Sequence, residues 1–532
     1  MSVNDHHDVI VVGAGFGGLY AIHRLRDQGL DIVCLEADDD VGGVWLHNGY
    51  PGCRCDLPSV DYSYSFSDEL QRDWQWSHRF SPQAEILSYL RHVADRFDLR
   101  RSIRFNTRVA SVRRDDGDGL WHVETEAGAK LTARFVILAS GNFSAEKQPE
   151  FPGVDDFRGE LYRTSSWPRD KAVSFAGKRV AIFGTGASGV QAITEIAKTA
   201  GHLTVFQRSA AYTAPTSNPP WDKAESDRFK AGYADYRAKM RDDAVGAYMF
   251  TTGKAAAGMT AEERTAILDQ WWEEGDAGYA TAFIDILFNE EVNEFVADYV
   301  RRKMAERIPD PSLRAKLIPT DYPIGTRRPI CDSGYLEIFS QDNVSLVDLR
   351  ETPVVRVNAS GIETSAGRQD FDMIVLAIGF DALTGSFTGI NPVNGGGQSL
   401  RDHWRESPTT FMGMTVAGFP NLFLINGPGS AAASNVPLLI EATVDWIGDC
   451  IAWMDRRGVS ALSPDQDAED AWTAEVLAIG NASLFMKVPS WFTGGNIPGK
   501  ARGILVYMGG LNAYVARARE VAAQGYKEFV TG

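Results

Sequence analysis

The chain has 532 residues, 44% of them hydrophobic, with 53 basic against 70 acidic side chains and a formal net charge of −17. That length exceeds one core and implies two or three domains, while the acidic balance disfavours nucleic acid and anionic membrane and leaves small neutral substrates open. No apolar run reaches the ~20 residues of a membrane helix, and the start MSVNDHHDV has neither the basic nor the apolar region of a signal peptide, so the chain reads as cytoplasmic.

Residues 9–36 read as strand, turn, helix and strand. An apolar run at 9–12 meets Gly13, Gly15 and Gly18 in the spacing G-x-G-x-x-G where a helix must start. The first glycine permits the tight turn, the second lets backbone approach a pyrophosphate, and the third lets helix pack on strand. A diphosphate suits the helix N-terminus, where free N–H groups and the dipole favour negative charge. Glu36 ends the second strand, where a carboxylate takes both hydroxyls of an adenosine ribose and opposes a 2′-phosphate.

Residues 41–66 are rich in glycine, proline and aromatics without a helical period, which predicts a long functional loop carrying Asp56. Its Cys53 and Cys55 lack the spacing of a flavin-linked redox pair and the second pair that zinc would need; with Cys34, Cys331 and Cys450 they read as reduced thiols. No histidine pair has metal-binding spacing, so no metal is expected. An amphipathic helix is predicted over 81–97, with Ile86, Leu87, Leu90 and Val93 on one face, then strands within 104–125 around a turn at 115–119. An apolar strand at 135–141 ends in small residues, as backbone passing a bulky cofactor requires.

A second strand–turn–helix unit starts at Arg179, with Gly184, Gly186 and Gly189 repeating the spacing. Here Gln207 and Arg208 stand where the acid would be, and a guanidinium suits a 2′-phosphate, so this unit asks for NADPH. Two dinucleotide sites in one chain imply hydride transfer between nicotinamide and flavin. Residues 218–321 are charged and helical, with one helix capped by Asn289, carrying Val292, Phe295, Val296, Tyr299 and Val300 on a face and stopping before Pro309. Arg327 and Arg328 stand side by side before Pro329, a strand is expected at 372–379, and 421–437 runs from strand through a small-residue turn into a helix. Residues 488–500 form an aromatic loop punctuated by glycine and proline, suited to a lid. The fold class is α/β: two Rossmann-like dinucleotide-binding domains with a helical insertion in the second.

These stretches resemble, nearly end to end and in order, the class B flavoprotein monooxygenases, and within them the type I Baeyer–Villiger monooxygenases. The resemblance rests on the first fingerprint, GGVW and YPGCRCD, the second fingerprint with VFQR, RRP, AIGFDALTG, NGPGS and SWFTGGNIPGK. The motif F-x-G-x-x-x-H-x-x-x-W-P falls on Phe157, Gly159, Trp167 and Pro168, with Arg163 in place of its histidine; Ile378 replaces a threonine. The resemblance implies noncovalent FAD, NADPH, O2 and a small ketone, which is turned into an ester or lactone through a C4a-peroxyflavin. Arg328 matches the active-site arginine and Asp56 its carboxylate partner. Phe16, Val44, Trp45, Tyr62, Val109 and Val436 fall at flavin-site positions. Thr185, Ala187, Ser188 and Ser209 fall at nicotinamide-nucleotide positions, Arg208 and Arg327 at the 2′-phosphate, and Trp491 at the lid. It also implies a divided order: FAD-binding domain at 1–142 and 385–532, NADPH-binding domain at 143–217 and 324–384, insertion at 218–323. The competing readings are a flavin monooxygenase that oxygenates sulfur or nitrogen, and a non-catalytic flavoprotein.

Overall fold

Residues 9–12 and 135–138 are apolar at every position, the pattern of strands covered on both faces. They pair in parallel register, Val9 with Phe135 through Val12 with Leu138, inside the strands Asp5–Val12 and Lys130–Leu138. The computed structural model, which describes residues 5–247, 251–276 and 278–532, builds a seven-stranded sheet around this pair. Its order is Ile103–Arg104, Ile32–Leu35, Asp5–Val12, Lys130–Leu138, Leu120–Thr125 and Val109–Asp115. The hairpin strand Leu120–Thr125 covers only the first part of Lys130–Leu138, pairing up to Ala133. Leu422–Leu424 takes the rest, pairing with Val136, Ile137 and Leu138.

A second sheet of five strands is wholly parallel: Val344–Asp348, His202–Gln207, Arg179–Phe183, Met373–Leu376 and Glu160–Arg163. In each sheet the fingerprint strand lies beside a strand from later in the chain, and the glycine turn leans on that neighbour's end. Gly13 and Gly184 adopt φ of +103° and +104°. A Cβ on Gly13 would lie 2.7 Å from the Ala139 carbonyl oxygen, and one on Gly184 2.3 Å from that of Ala377.

The chain crosses between the sheets twice, and the two crossings run against each other. Asp381 donates its N–H to the Ala145 carbonyl at 2.9 Å, Leu383 to Asn142 at 3.1 Å and Lys147 to Gly379 at 3.3 Å. Helices gather between the crossings, among them Ala261–Glu274 and Glu290–Glu306. Asn289 caps the latter, its side chain accepting from Glu291 and Val292, as expected. Val292, Val296, Tyr299 and Val300 are buried, and Phe295, partly buried under the Arg264 guanidinium, packs against the same core. The expected insertion also spans 248–250 and 277, which lie outside the described residues. Among the described residues no helix is long and apolar enough to cross a membrane.

One expectation is corrected: the stretch 41–66 is not loop throughout. Val44–His47 forms a turn of helix with Trp45 and Leu46 buried. Gly43 makes this possible at φ +54°, with backbone so close to Gly15 that a Cβ would stand 3.2 Å from the Gly15 Cα.

Candidate active site

The first glycine turn is closed by the acid that the spacing picked out. Glu36 follows Ile32–Leu35 and is 6% exposed. One of its carboxylate oxygens accepts from the Ala14 N–H at 2.6 Å and the other from the Asp38 N–H at 2.9 Å. Burial pushes its carboxyl above the usual range, and those two backbone bonds pull it back. Gly18 lies so near the turn that an added Cβ would stand 1.8 Å from the Gly13 carbonyl oxygen. On the outer side Phe16, Trp45 and Tyr62 meet: the Phe16 and Tyr62 rings are 5.3 Å apart, and Trp45 donates its indole N–H to the Tyr62 hydroxyl at 3.2 Å. Val44 opens the short helix, and Val436 opens Val436–Arg457, which packs on the fingerprint helix Phe16–Arg26. Val109 begins its strand two residues after Thr107, whose N–H donates to the Glu36 carbonyl at 2.7 Å.

The carboxyl ends of Lys130–Leu138 and Leu422–Leu424 adjoin this turn, the place where open parallel sheets bind ligands. Ser140 Oγ, Asn142 Oδ1, Asn426 Oδ1 and Ser430 Oγ lie just beyond these strands, buried and without a hydrogen-bond partner among the described residues. Buried polar atoms are seldom left so, and these four fit a polar ring system laid across the strand ends.

The second turn repeats the geometry with a different lock. A Cβ on Gly189 would stand 2.1 Å from the Gly184 carbonyl oxygen, while one on Gly186 would meet nothing within 4 Å. Thr185 donates its hydroxyl to the Ser209 carbonyl at 2.8 Å, and Ala187 and Ser188 open the helix Ala187–Ile196. Gln207 is fully buried and turned away, donating to the Lys316 carbonyl at 2.7 Å. Arg208 leaves 67% of its side chain exposed, with Glu150 at 3.8 Å. Arg327 lies over the Tyr322 ring at 4.2 Å, and no contact joins it to Arg208 among the described residues.

Between the turns the structure brings Asp56 and Arg328 together. Arg328 Nη2 lies 3.2 Å from Asp56 Oδ2, a charge contact without hydrogen-bond alignment. The carboxylate is buried, whereas 46% of the arginine side chain remains accessible. Burial holds the Asp56 carboxyl above its usual range although Arg328 and Arg54 pull it down; burial also opposes the Arg328 charge, and Asp56 together with Cys55, Tyr50 and Tyr62 more than restores it.

Trp491 stacks on Phe492 at 3.8 Å and meets Phe143 edge-on at 5.3 Å, which lays the 488–500 segment over the first crossing. Lys500 grips the second, with Nζ 2.6 Å from Asp381 Oδ1 and 3.0 Å from the Ala382 carbonyl oxygen. Arg163 lies in Glu160–Arg163 and reaches back to the first crossing, 3.5 Å from the Lys147 carbonyl, 3.4 Å from Gln148 Oε1 and 3.8 Å from Glu146 Oε2. Sequence reasoning missed Phe143, which carries no motif, and did not single out Asp381 and Lys500 within the quoted stretches AIGFDALTG and SWFTGGNIPGK. It also missed Gln191, a polar residue in the buried run 189–194 whose oddity was a readable signal.

A family model described as flavin-binding monooxygenase-like matches residues 6–233. The chain is 38% identical over 533 residues to a Baeyer–Villiger monooxygenase of Pseudooceanicola batsensis, covering 99% of this chain and 97% of that one. It is 37% identical over 530 residues to a phenazine N-monooxygenase of Lysobacter antibioticus, at 99% and 97% coverage. It superposes on cyclohexanone monooxygenase from Rhodococcus sp. Phi1 bound to NADP+ with a TM-score of 0.96, at 39% identity and 99% coverage of each chain.

Proposed function

Because the chain belongs to the type I Baeyer–Villiger monooxygenase family, we propose that it is an FAD- and NADPH-dependent enzyme inserting one atom of O2 beside a ketone carbonyl to give an ester or lactone. The observation that carries this reading is the Asp56–Arg328 pair, a buried carboxylate beside an arginine that remains accessible. FAD belongs on the Gly13–Gly18 turn with its ribose at Glu36. NADPH belongs on the Gly184–Gly189 turn with its 2′-phosphate at Arg208. The open side of Gly186, the accessible Arg208 and the four unpartnered polar atoms at the strand ends fit this assignment. The divided bounds follow: 1–142 and 385–532 for FAD, 143–217 and 324–384 for NADPH, 218–323 inserted.

Bound there, the cofactors supply two electrons and an activated oxygen. The chain's own part is charge, orientation and exclusion of water. Addition to a ketone places negative charge on the carbonyl oxygen, and Arg328 offers a fixed cation in a site with little water to compete. At ~4 Å and an effective dielectric near 20 such a pair contributes about 4 kcal/mol, roughly a thousandfold in rate. Asp56 holds the guanidinium from behind, and only an arginine fork reaches both the carboxylate and the reacting oxygen. Trp491, Phe492 and Phe143 cover the crossings and keep bulk water out.

The phenazine N-monooxygenase among the relatives favours a second reading, oxygenation of nitrogen. Aerobic NADPH consumption with linear, small-ring, large-ring and steroidal ketones and with N-heteroaromatic compounds, products read by mass spectrometry, decides between them. Esters or lactones support the proposal. N-oxides without esters move the chain to the second reading, and NADPH consumption with no organic product under any substrate contradicts both.

A further inference from the structure

We propose that Gln191 is a positioning residue that fixes Asp56, and through it Arg328; the inference rests on the role given to that pair above. Gln191 sits in Ala187–Ile196, the helix that begins on the second glycine turn, yet its side chain leaves that unit and enters the loop that carries Asp56. Its orientation is fixed by its neighbours. The Tyr50 hydroxyl at 2.9 Å and the Arg54 N–H at 3.4 Å both donate to one amide atom, which must be the oxygen. The amide nitrogen then donates to the Arg54 carbonyl at 3.2 Å and to Asp56 Oδ1 at 3.3 Å. Among the described residues this is the one hydrogen bond that Asp56 accepts, its other oxygen facing Arg328.

The consequence is a coupling between two parts of the molecule that different cofactors would occupy. The carboxylate that orients the cation belongs to the first unit, and the amide donor that favours its charged form, beside the two arginines, belongs to the second. A hydrogen bond to the charged form favours that form, so its loss raises the Asp56 pKa and leaves Arg328 facing a neutral carboxyl at higher pH. The other groups facing Asp56 do not titrate in this range. Arg328 is held above its ordinary value, burial pushes the Cys53 and Cys55 thiols to about 12, and Cys331 and Tyr279 are pushed well above their ordinary values. The acid limb of coupled turnover therefore reports Asp56.

Gln191→Met keeps the volume and removes every hydrogen bond. In the holoenzyme, the ester formed per NADPH consumed should lose its acid limb about one pH unit higher than in the parent. The Asp56 carboxyl band in pH-difference infrared spectra, identified by its absence in Asp56→Asn, should move by the same amount. Tyr50→Phe, which frees the amide without emptying the core, should shift both in the same direction by less. In an Asp56→Asn background, Gln191→Met should add no shift. A parental limb and band in both Gln191→Met and Tyr50→Phe overturn the inference, as does a loss of coupling equal at every pH. Parental coupling in Asp56→Asn overturns the role of the Asp56–Arg328 pair instead; the two failures are told apart because the infrared band would still move.

Discussion

The two glycine turns have the same backbone and opposite surroundings. The first is shut by a buried carboxylate that accepts from the turn itself, Ala14 to Glu36 at 2.6 Å, so the acid is part of the fold before any ribose reaches it. The second has no buried carboxylate: a hydroxyl on the turn, Thr185, reaches the Ser209 carbonyl instead, Gln207 points into the protein and Arg208 into solvent, with Gly186 open on its outer side among the described residues. A cradle closed by a buried carboxylate suits a ligand that stays, and one whose charged side chain lies in solvent suits a ligand that exchanges in every cycle. The difference is written at the end of the second strand of each unit: Leu35 and Phe206 accept from Gly13 and Gly184 in the same way, and the residue that follows is the acid Glu36 in one unit and Gln207, with Arg208 beyond it, in the other.

The harshest way to break the comparison is to add a methyl group to each turn. Gly18→Ala drives a Cβ into the Gly13 carbonyl and should give protein without flavin, or no soluble protein at all. Gly186→Ala meets no protein atom and should fold, remain yellow and show only a raised KM for NADPH; absorbance spectra and steady-state kinetics report both. Next in size is the pair between the turns. Arg328→Ala should bind FAD and be reduced anaerobically by NADPH, but lose roughly a thousandfold in ester formation and release hydrogen peroxide. Ester formation within tenfold of the parent would remove Arg328 from the oxygenation step.

A smaller effect sharpens the contrast between acid and arginine. Arg208→Ala should cut the preference for NADPH over NADH by about tenfold, the low end of a phosphate–guanidinium bond because the side chain is exposed. Equal kcat/KM for the two nucleotides in the parent would contradict the reading of the open turn. Smallest of all is Arg163→His. Its contacts with the first crossing are long, 3.4 to 3.8 Å, so the replacement should change turnover a few-fold and leave flavin content untouched. Loss of FAD would place Arg163 in the flavin site.

What could be read from the chain was whatever repeats at a spacing. The fingerprints were legible because only glycine fits a turn at φ near +103° or a helix that touches its own strand, and the Asn289 helix because a cap and an apolar face announce it. The turn Val44–His47 was hidden, since four residues cannot display a period. Arg328 and Asp56 were found through resemblance, because nothing in the spacing between positions 56 and 328 implies contact. Asp381 and Lys500 stood within quoted stretches, but that the two grip each other, and that Gln191 bridges two units, belongs to the folded topology.

The late strand Leu422–Leu424 also dictates an order of assembly. The edge of Val136–Leu138 that it covers stands bare while everything between them is synthesised, because no other strand pairs there among the described residues. All five strands of the second sheet emerge before that partner does. A ribosome-bound chain thus completes its later sheet before its earlier one and carries a sticky unpaired edge through most of translation. Truncation before Leu422 should leave a nascent product that depends on chaperones and never holds flavin, however intact its first fingerprint.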